Sequence, residues 1–212
     1  KVVFILKNKL IILLLALTIL IMSVFLFISI KKNKAYEAYL TNQIVNDIST
    51  ITTTPMESLV TLNDVIKQGY ITKPQAIELQ QLFFDLAFTI QDTVQLGDYL
   101  SYFNDSQDVS MVVATIDNYR HFIRLLDVEN DLSLTSDELA KFQLMHDLME
   151  KYVYITKETL KYSPEIGQKG MPEQYWTHYR RKGVADKFWV NLIEEYVEVT
   201  DLGEYYYSFI ND

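Results

Sequence analysis

Acidic side chains recur at short intervals between Asp127 and Glu138, in a polar stretch that lies between two apolar segments. If these residues are numbered as a twelve-residue loop, carboxylates stand at positions 1, 3, 5 and 12, and an apolar residue stands at position 8. Loops that hold Ca²⁺ supply carboxylate oxygens from these positions. This acidic window, Asp127–Glu138, is therefore the first candidate for a metal site.

The acidic window resembles an EF-hand loop at those positions alone. Position 6 is Leu132, whereas the sharp turn of a calcium loop requires glycine there, and position 3 is Glu129, where Asp or Asn is usual. The alternative is a connection between two helices, whose acids cap the second helix and are otherwise solvated. We favour this alternative and expect no metal site here.

A second window, Asp64–Gln75, follows the same spacing less closely. Gly69 stands at position 6, but positions 3 and 12 are Ile66 and Gln75. Without carboxylates at those positions the window should not hold calcium. The glycine is followed by Thr72, which can cap a helix together with Gln75 three residues later, so the window instead predicts a tight turn between two helices.

The sequence contains no recognisable catalytic constellation. The three histidines, His121, His146 and His178, have neither HExxH nor HxH spacing, and cysteine is absent. There is no nucleophile elbow, P-loop or dinucleotide-binding fingerprint. Gly167–Gly170 matches the GxxG loop of KH domains, but the acidic composition and the scarcity of strand patterns argue against RNA binding. We therefore expect no catalytic residue, no cofactor and no nucleic acid partner, and we expect that the protein is not an enzyme.

One basic cluster interrupts the acidic part of the chain. His178–Lys182 reads His-Tyr-Arg-Arg-Lys and lies close in sequence to Tyr175 and Trp176. Arginines beside aromatic rings can bind an anionic group or an acidic partner. The alternative, which we favour, is a solvated helix end that pairs with neighbouring acids.

The C-terminal segment is rich in aromatic residues, namely Tyr175, Trp176, Tyr179, Phe188, Trp189, Tyr196, Tyr205, Tyr206, Tyr207 and Phe209. Rings in such numbers suit a surface that stacks on sugars or contacts a protein. Packing in the core is the alternative, and we expect it for most of these rings.

The elements that must position these residues begin with an apolar anchor. Residues 10–30 form a stretch of twenty-one residues without a charge. As a helix the stretch would extend about 31 Å, which matches a hydrocarbon core of about 30 Å. A cleaved signal peptide usually has a shorter apolar stretch and a small-x-small cleavage site, which Ala35 and Ala38 match poorly. We expect a single-pass transmembrane helix in contact with the lipid bilayer.

Charge divides the chain near the end of this anchor. The first 34 residues contain six lysines and no acid, so the net charge of −9 for the whole chain leaves −15 on residues 35–212. A part this acidic should avoid nucleic acid and anionic lipid headgroups. Lysines flank the anchor on both sides, so the positive-inside rule is close to a tie. Because the basic N-terminal tail is short and the acidic bulk follows, we expect a signal-anchor orientation with an extracytoplasmic C-terminal domain.

Beyond the anchor, apolar residues recur with helical spacing, and strand-like alternation is nearly absent. An apolar residue at every fourth position over Tyr36–Ile48 predicts that the anchor helix continues. Pro55, after three threonines, predicts that this helix ends and that Thr54 caps a new one. The remaining predicted elements are a helix ending at Gln68, a long helix from Thr72 to about residue 103, a turn at Asn104–Ser106, a helix over about Gln107–Leu126, a helix from Thr135 or Ser136 to about Tyr162, a loop over Ser163–Glu173, a short helix before Gly183 and a helix over about Val184–Val199.

The sequence thus predicts an all-α fold, with an N-terminal single transmembrane helix followed by an antiparallel bundle of five to six helices. We divide the chain into a transmembrane anchor with basic flanks at 1–34, a juxtamembrane helix or linker at 35–54 and a helical bundle domain at 55–212.

The function that we expect is that of a membrane-anchored protein whose extracytoplasmic helical domain binds another membrane or envelope protein, or a second copy of itself, in an assembly or accessory role. Such a domain should expose an apolar or aromatic patch. The alternatives are a small-molecule sensor that acts with a partner, which should have a closed polar pocket, and an enzyme, which should have titratable groups that converge in a cleft.

Overall fold

The computed structural model describes residues 2–103, 107–168 and 170–201, together with Tyr205 and Phe209. These residues form six helices and two strands of two residues each. In chain order they are α1 (Val2–Gln68), β1 (Tyr70–Ile71), α2 (Lys73–Tyr99), α3 (Gln107–Leu125), β2 (Leu132–Ser133), α4 (Ser136–Thr159), α5 (Glu173–Lys182) and α6 (Phe188–Asp201). The prediction of an all-α helical bundle with one long apolar helix at the N-terminus is confirmed.

The chain separates into two compact units, Lys1–Asn42 and Gln43–Asp212. In the first unit, the leucine, isoleucine and phenylalanine side chains of residues 13–30 are exposed, and Phe25 is 69% exposed. The most apolar eighteen-residue window of this helix is 0% buried. A helix that is apolar on every face and covered by nothing has the length and composition needed to cross a membrane.

Two hydroxyl groups in the apolar segment are bonded within the helix itself. Thr18 donates to the carbonyl of Leu14 at 2.9 Å, and Ser23 donates to the carbonyl of Ile19 at 2.8 Å. A hydroxyl that bonds the preceding turn needs no water, so both residues are compatible with a surrounding hydrocarbon.

The predicted break of the first helix at Pro55 is wrong, because α1 continues through this residue to Gln68. Thr54 therefore lies inside a helix and caps nothing. Proline cannot donate to the carbonyl one turn earlier and usually ends a helix, at a cost of about 3 kcal/mol. Here Ile51 and Thr52 are 0% exposed, and the Thr52 hydroxyl donates to the carbonyl four residues earlier at 2.7 Å. Burial of this face of the helix offsets the cost of the proline.

The turn between α1 and α2 is confirmed in detail. Gly69 follows the last residue of α1 with φ 72°, and its N–H donates to the carbonyl of Val65. The hydroxyl of Thr72 accepts from the N–H of Gln75, and the Gln75 side chain accepts from the N–H of Thr72 at 3.0 Å. This reciprocal capping box starts α2 where the sequence predicts it.

A two-residue ladder between two loops was not predicted. β1 pairs antiparallel with β2, with Tyr70 opposite Ser133 and Ile71 opposite Leu132. Strands of two residues are too short to show an alternating pattern in the sequence. The ladder joins the turn between α1 and α2 to the connection between α3 and α4, so two helix–loop–helix units meet at their loops.

α2 and α3 form an extensive helix pair. The rings of Phe83 and Tyr119 meet edge to face, with centroids 5.7 Å apart. α2 ends at Tyr99, four residues earlier than predicted, where Ser101 takes a left-handed φ of 58°. The turn predicted at Asn104–Ser106 lies outside the described residues.

α4 and α6 are joined by a buried hydroxyl network. The rings of Tyr152 and Tyr196 stack with centroids 4.0 Å apart. The Tyr152 hydroxyl lies 2.6 Å from Oγ1 of Thr200, and the Tyr196 hydroxyl lies 2.8 Å from Oγ1 of Thr156. All four residues are 0% exposed. Because each hydroxyl has a partner, this polar layer is compatible with a closed core.

The last helix begins four residues later than predicted, at Phe188 instead of Val184, and it extends to Asp201. The Oδ1 atom of Asp186 accepts the N–H of Phe188 at 3.2 Å, so this carboxylate caps the helix at its observed start. Lys182, at the end of α5, pairs with the same carboxylate at 3.1 Å and holds the turn between the two helices.

Most of the described C-terminal rings lie in the core, as expected. Tyr175, Tyr179, Phe188, Trp189, Tyr196 and Tyr205 are each at most 7% exposed. The Tyr175 hydroxyl donates to the carbonyl of Val45 at 2.8 Å and so ties α5 to α1. Trp176 is only half-buried. Tyr206 and Tyr207 lie outside the described residues.

Candidate functional site

An open groove with a volume of about 540 Å³ lies between α2 and α3. Phe84 and Arg120 lie at one end, and Val94 and Val109 lie towards the other, as expected of two antiparallel helices. The apolar lining consists of Phe84, Ala87, Phe88, Val94, Val109, Val113 and Ala114, and the polar lining consists of Gln91, Gln95, Asp98, Ser110, Asp117 and Arg120. A groove of this size and composition can take apolar side chains or a small apolar molecule.

Two aromatic rings stand at the rim of this groove. Phe84 is 44% exposed and Phe88 is 53% exposed. Their rings stack with centroids 5.8 Å apart and an interplanar angle of 18°. Ile77, seven residues before Phe84 and 58% exposed, continues the same face of α2. Single exposed apolar residues are normal, but a stacked pair beside an apolar groove is a candidate binding surface.

Arg120 is held in place at the same end of the groove. Its guanidinium lies 5.4 Å from the centroid of the Phe84 ring and forms an ion pair with Asp117 at 2.8 Å. A guanidinium fixed by two partners loses little freedom when it binds a further group. Gln91 and Gln95 add hydrogen-bonding groups along the rim. An apolar floor with a polar rim suits binding of a partner.

In this helix the sequence predicts a helical period for seven apolar residues and so passes over Phe84 and Phe88; the seven are Leu79, Leu82, Phe83, Leu86, Ile90, Val94 and Leu96. Five of the seven are buried in the core, and Leu82 and Leu96 are half-buried. The signal that remained was two phenylalanines on the face that a solvated helix fills with polar residues.

The basic cluster predicted at His178–Lys182 forms the last turn of α5. Arg180, Arg181 and Lys182 are exposed, and the guanidinium of Arg180 lies 5.3 Å from the centroid of the Trp176 ring. Partial burial lowers the pKa of His178, and the charges of nearby lysines and an arginine lower it further. These side chains form an exposed helix end, where positive charge is favourable, and among them Lys182 pairs with an acid, Asp186, within the described residues.

In the acidic window, the carboxylate at position 12 caps a helix. Oε2 of Glu138 accepts from the N–H of Thr135 at 2.7 Å and from its hydroxyl at 2.8 Å, which forms a capping box and makes Thr135, one of the two predicted starting residues, the cap of α4. Asp127, Glu129 and Asp131 are exposed. Within the described ranges, no group of three or more His, Asp or Glu residues could hold a metal ion.

In the second window, an amide group takes the position of a cation. Nε2 of Gln68 donates to the carbonyl of Tyr70 at 2.7 Å and to Oε1 of Gln75 at 2.9 Å. These oxygens stand at positions 7 and 12, which supply ligands in a calcium loop. The turn is therefore closed by a neutral donor of the chain itself.

Asp47 is an ionisable group in the packing of α1 that sequence reasoning also missed. Its Oδ2 atom is buried and has no hydrogen-bond partner in the part of the chain that the structure describes. Burial raises the pKa of this carboxyl to about 6, and the charge of Asp92 on α2 adds to the effect. The available signal was an acid between Ile44 and Ile48, both of which are 0% exposed.

The three histidines lie on three different helices. Nδ1 of His121 on α3 is 2.8 Å from the guanidinium of Arg124, and Nδ1 of His146 on α4 is 3.5 Å from Asp147. The ring of His178 on α5 lies 5.2 Å from that of Tyr162. The groove between α2 and α3 is lined by none of the three.

Comparison of the chain with models of protein families, with curated proteins and with solved structures gave no match.

Proposed function

We propose that the chain is a membrane-anchored interaction protein that binds another membrane or envelope protein through the groove between α2 and α3. One observation carries the proposal: Phe84 and Phe88 stack at the surface, on the rim of an apolar groove. Exposing two phenylalanines to water is unfavourable unless a partner covers them. Aromatic residues and arginine are also the types that contribute most to binding at protein interfaces, and Arg120 stands beside Phe84.

The proposal includes a location. Residues 10–30 cross the bilayer once, and the acidic domain lies on the extracytoplasmic side, as in a signal-anchor protein. The apolar length of the segment supports the crossing. The side follows from the expectation that the acidic bulk of the chain is translocated. Protease treatment of intact cells tests the side, because an extracytoplasmic domain is cleaved there and a cytoplasmic one is protected.

The groove is tested directly by a crosslinker placed inside it. A photoreactive residue at Gln91, on the groove rim, should crosslink the full-length protein in membranes to one discrete partner. The double variant Phe84→Ser/Phe88→Ser should reduce that product by at least tenfold, since an interface anchor contributes about 2 kcal/mol or more. A matched double variant, Tyr99→Ser/Tyr154→Ser, removes two aromatic residues that are 86% and 66% exposed outside the groove, and it should leave the product unchanged.

The identity of the crosslinked species separates the forms of the proposal. A heterologous protein supports an accessory or assembly role, and a crosslinked dimer of this chain supports a homo-oligomer. If the probe at Gln91 yields only lipid or detergent adducts, or if both double variants lose the product equally, the groove is not a protein interface.

A second candidate function follows from the volume of the groove. About 540 Å³ lies within the range of small-molecule sites, roughly 300–1,000 Å³, so an apolar ligand could occupy the floor and the domain could act as a sensor with a partner. Mass spectrometry of small molecules released from the purified full-length protein tests this function. An apolar molecule that is present in the native protein and absent from the Phe84→Ser/Phe88→Ser variant would favour the sensor over the protein interface.

A further inference from the structure

The basic residues of the domain are concentrated in one short segment. Residues 157–187 contain seven of the thirteen Lys and Arg in residues 35–212 and only four acids, a net charge of +3. The rest of residues 35–212 therefore carries −18. A domain that is acidic on average thus has one positive region.

Four basic residues of this region, Lys161, Arg180, Arg181 and Lys182, lie where the end of α4 meets α5. The backbone N–H of Lys161 donates to the hydroxyl of Tyr179 at 3.0 Å and so joins the two elements. Nζ of Lys161 lies near the ring of Tyr162 and Nζ of Lys182 lies near that of Tyr179, and these two rings lie 5.2 Å and 4.8 Å from the ring of His178. Arg181 lines the same pocket as Tyr162 and His178. We call Lys161, Arg180, Arg181 and Lys182 the basic surface.

The basic surface is exposed, and aromatic rings lie beneath its charges. Nζ of Lys161 lies 5.3 Å from the centroid of the Tyr162 ring, and the Arg180 guanidinium lies 5.3 Å from that of Trp176. Both rings are half-buried. Arg180 and Arg181 form no ion pair with another described residue. Within the described part of the chain, both guanidinium groups are thus available to anions.

We propose that the basic surface docks on the anionic phospholipid headgroups of the bilayer that residues 10–30 cross. Lysine and arginine near such a surface are attracted to it, and tryptophan and tyrosine are enriched at the level of the headgroups. The remaining −18 is repelled by the same lipids, so charge also selects which side of the domain faces them. The sequence-based expectation that the domain avoids anionic headgroups then applies to every side except this one.

The chain length between anchor and domain makes docking accessible. Residues 31–42 separate the apolar stretch from the second unit. These twelve residues belong to α1 and span about 18 Å at about 1.5 Å per helical residue, so the domain is held at a high effective concentration near the bilayer. The proposal is independent of what occupies the groove between α2 and α3, and it applies to any leaflet that contains anionic lipid.

The two tryptophans of the chain provide a natural probe. Trp176 lies next to Arg180 of the basic surface and is half-buried, whereas Trp189 is 0% exposed. The full-length protein is placed in nanodiscs of neutral phosphatidylcholine, with or without about 30% anionic phosphatidylglycerol, and a few lipids carry a spin label on the headgroup. Quenching of tryptophan fluorescence should increase when the anionic lipid is present. It should return to the neutral-lipid value at about 1 M salt, where the screening length is about 3 Å.

Matched variants distinguish docking through the basic surface from proximity of the domain to the bilayer that the anchor alone causes. Arg180→Gln/Arg181→Gln should lower the docking equilibrium about 25-fold, since each basic residue near an anionic surface contributes about fivefold. Lys67→Gln/Lys73→Gln removes two exposed charges at the turn between α1 and α2 and should leave the quenching unchanged. Circular dichroism checks that both variants retain the helical content of the parent.

Three results would overturn the proposal. The first is quenching that does not depend on the anionic lipid, and the second is an equal loss in both double variants. The third is a full-length protein that ignores anionic nanodiscs but binds soluble polyglutamate through Arg180 and Arg181, which would assign the surface to an acidic protein partner.

Discussion

The carboxyl of Asp47 has a higher pKa in the folded chain than in the unfolded chain. Its pKa is about 6 in the fold, against an ordinary value of 3.8, because it is partly buried and lies near Asp92. The folded chain therefore holds this proton more tightly than the unfolded chain. Its contribution to stability is greatest below about pH 4 and is lost as the pH rises to about 6 and beyond.

Replacing Asp47 by Asn removes the loss of stability at high pH, because an amide does not ionise. We expect Asp47→Asn to increase the free energy of unfolding by about 1 kcal/mol at pH 8, a value discounted because the carboxyl is still partly solvated, and to have little effect at pH 4. Thermal unfolding of the full-length protein in detergent, followed by circular dichroism at both pH values, measures the difference. The control is Glu150→Gln, an exposed acid in α4. An equal gain at both pH values would show that Asp47 is ionised in the fold as it is in water.

At the scale of elements, local chemistry was predictable and tertiary burial was not. The turn from Gly69 to Gln75 and the cap at Thr135 depend on residues within a few positions of each other, so the sequence contains all the information. The continuation of α1 through Pro55 depends on neighbours that are distant in sequence and bury this face of the helix. The ladder of β1 and β2 likewise depends on how two loops meet.

The pairing of α4 with α6 can be tested through one hydroxyl. Tyr196→Phe removes the partner of Oγ1 of Thr156 and of the Tyr152 carbonyl but keeps the stacked ring. Leaving buried polar groups unpaired costs about 1–3 kcal/mol, so the melting temperature should fall by roughly 2–12 °C. Tyr154→Phe, at a residue of α4 that is 66% exposed, removes the same atom and should have no effect. Equal melting temperatures for the two variants would mean that the network contributes nothing to the pairing.

At the scale of the whole molecule, periodicity predicted which residues are apolar but not which of them remain uncovered. The stripe of α2 that contains Phe83 lies in the core, while Phe84, the next residue, stands at the rim of the groove. Phe84 remains exposed because α3, which forms the other wall of the groove, does not cover it. The position of α3 against α2 is set by packing along both helices. A site formed between two helices in this way cannot be predicted from the sequence of either helix alone.

The insertion free energy of the anchor predicts how many arginine substitutions are needed to remove residues 10–30 from the membrane. Residues 10–30 contain sixteen Leu, Ile, Val and Phe. At about −0.3 to −0.6 kcal/mol each, these residues favour insertion by roughly 5–10 kcal/mol, whereas one arginine at the centre of a membrane helix opposes it by about 2.5–3.5 kcal/mol. One arginine should therefore be tolerated, and three should approach or exceed the whole driving force.

We accordingly expect Leu17→Arg alone to stay in the membrane pellet after alkaline carbonate extraction, and the triple variant Leu17→Arg/Leu20→Arg/Val24→Arg to be released. Alkaline carbonate removes proteins that are bound only at the surface, so docking through the basic surface cannot mask the loss of the anchor. Tyr36→Arg/Tyr39→Arg adds charge at residues that are 66% exposed and lie beyond the apolar stretch, and it should stay in the pellet. Retention of the triple variant would mean that the attachment to the membrane comes from another part of the chain, because the remaining apolar residues could not hold three buried arginines.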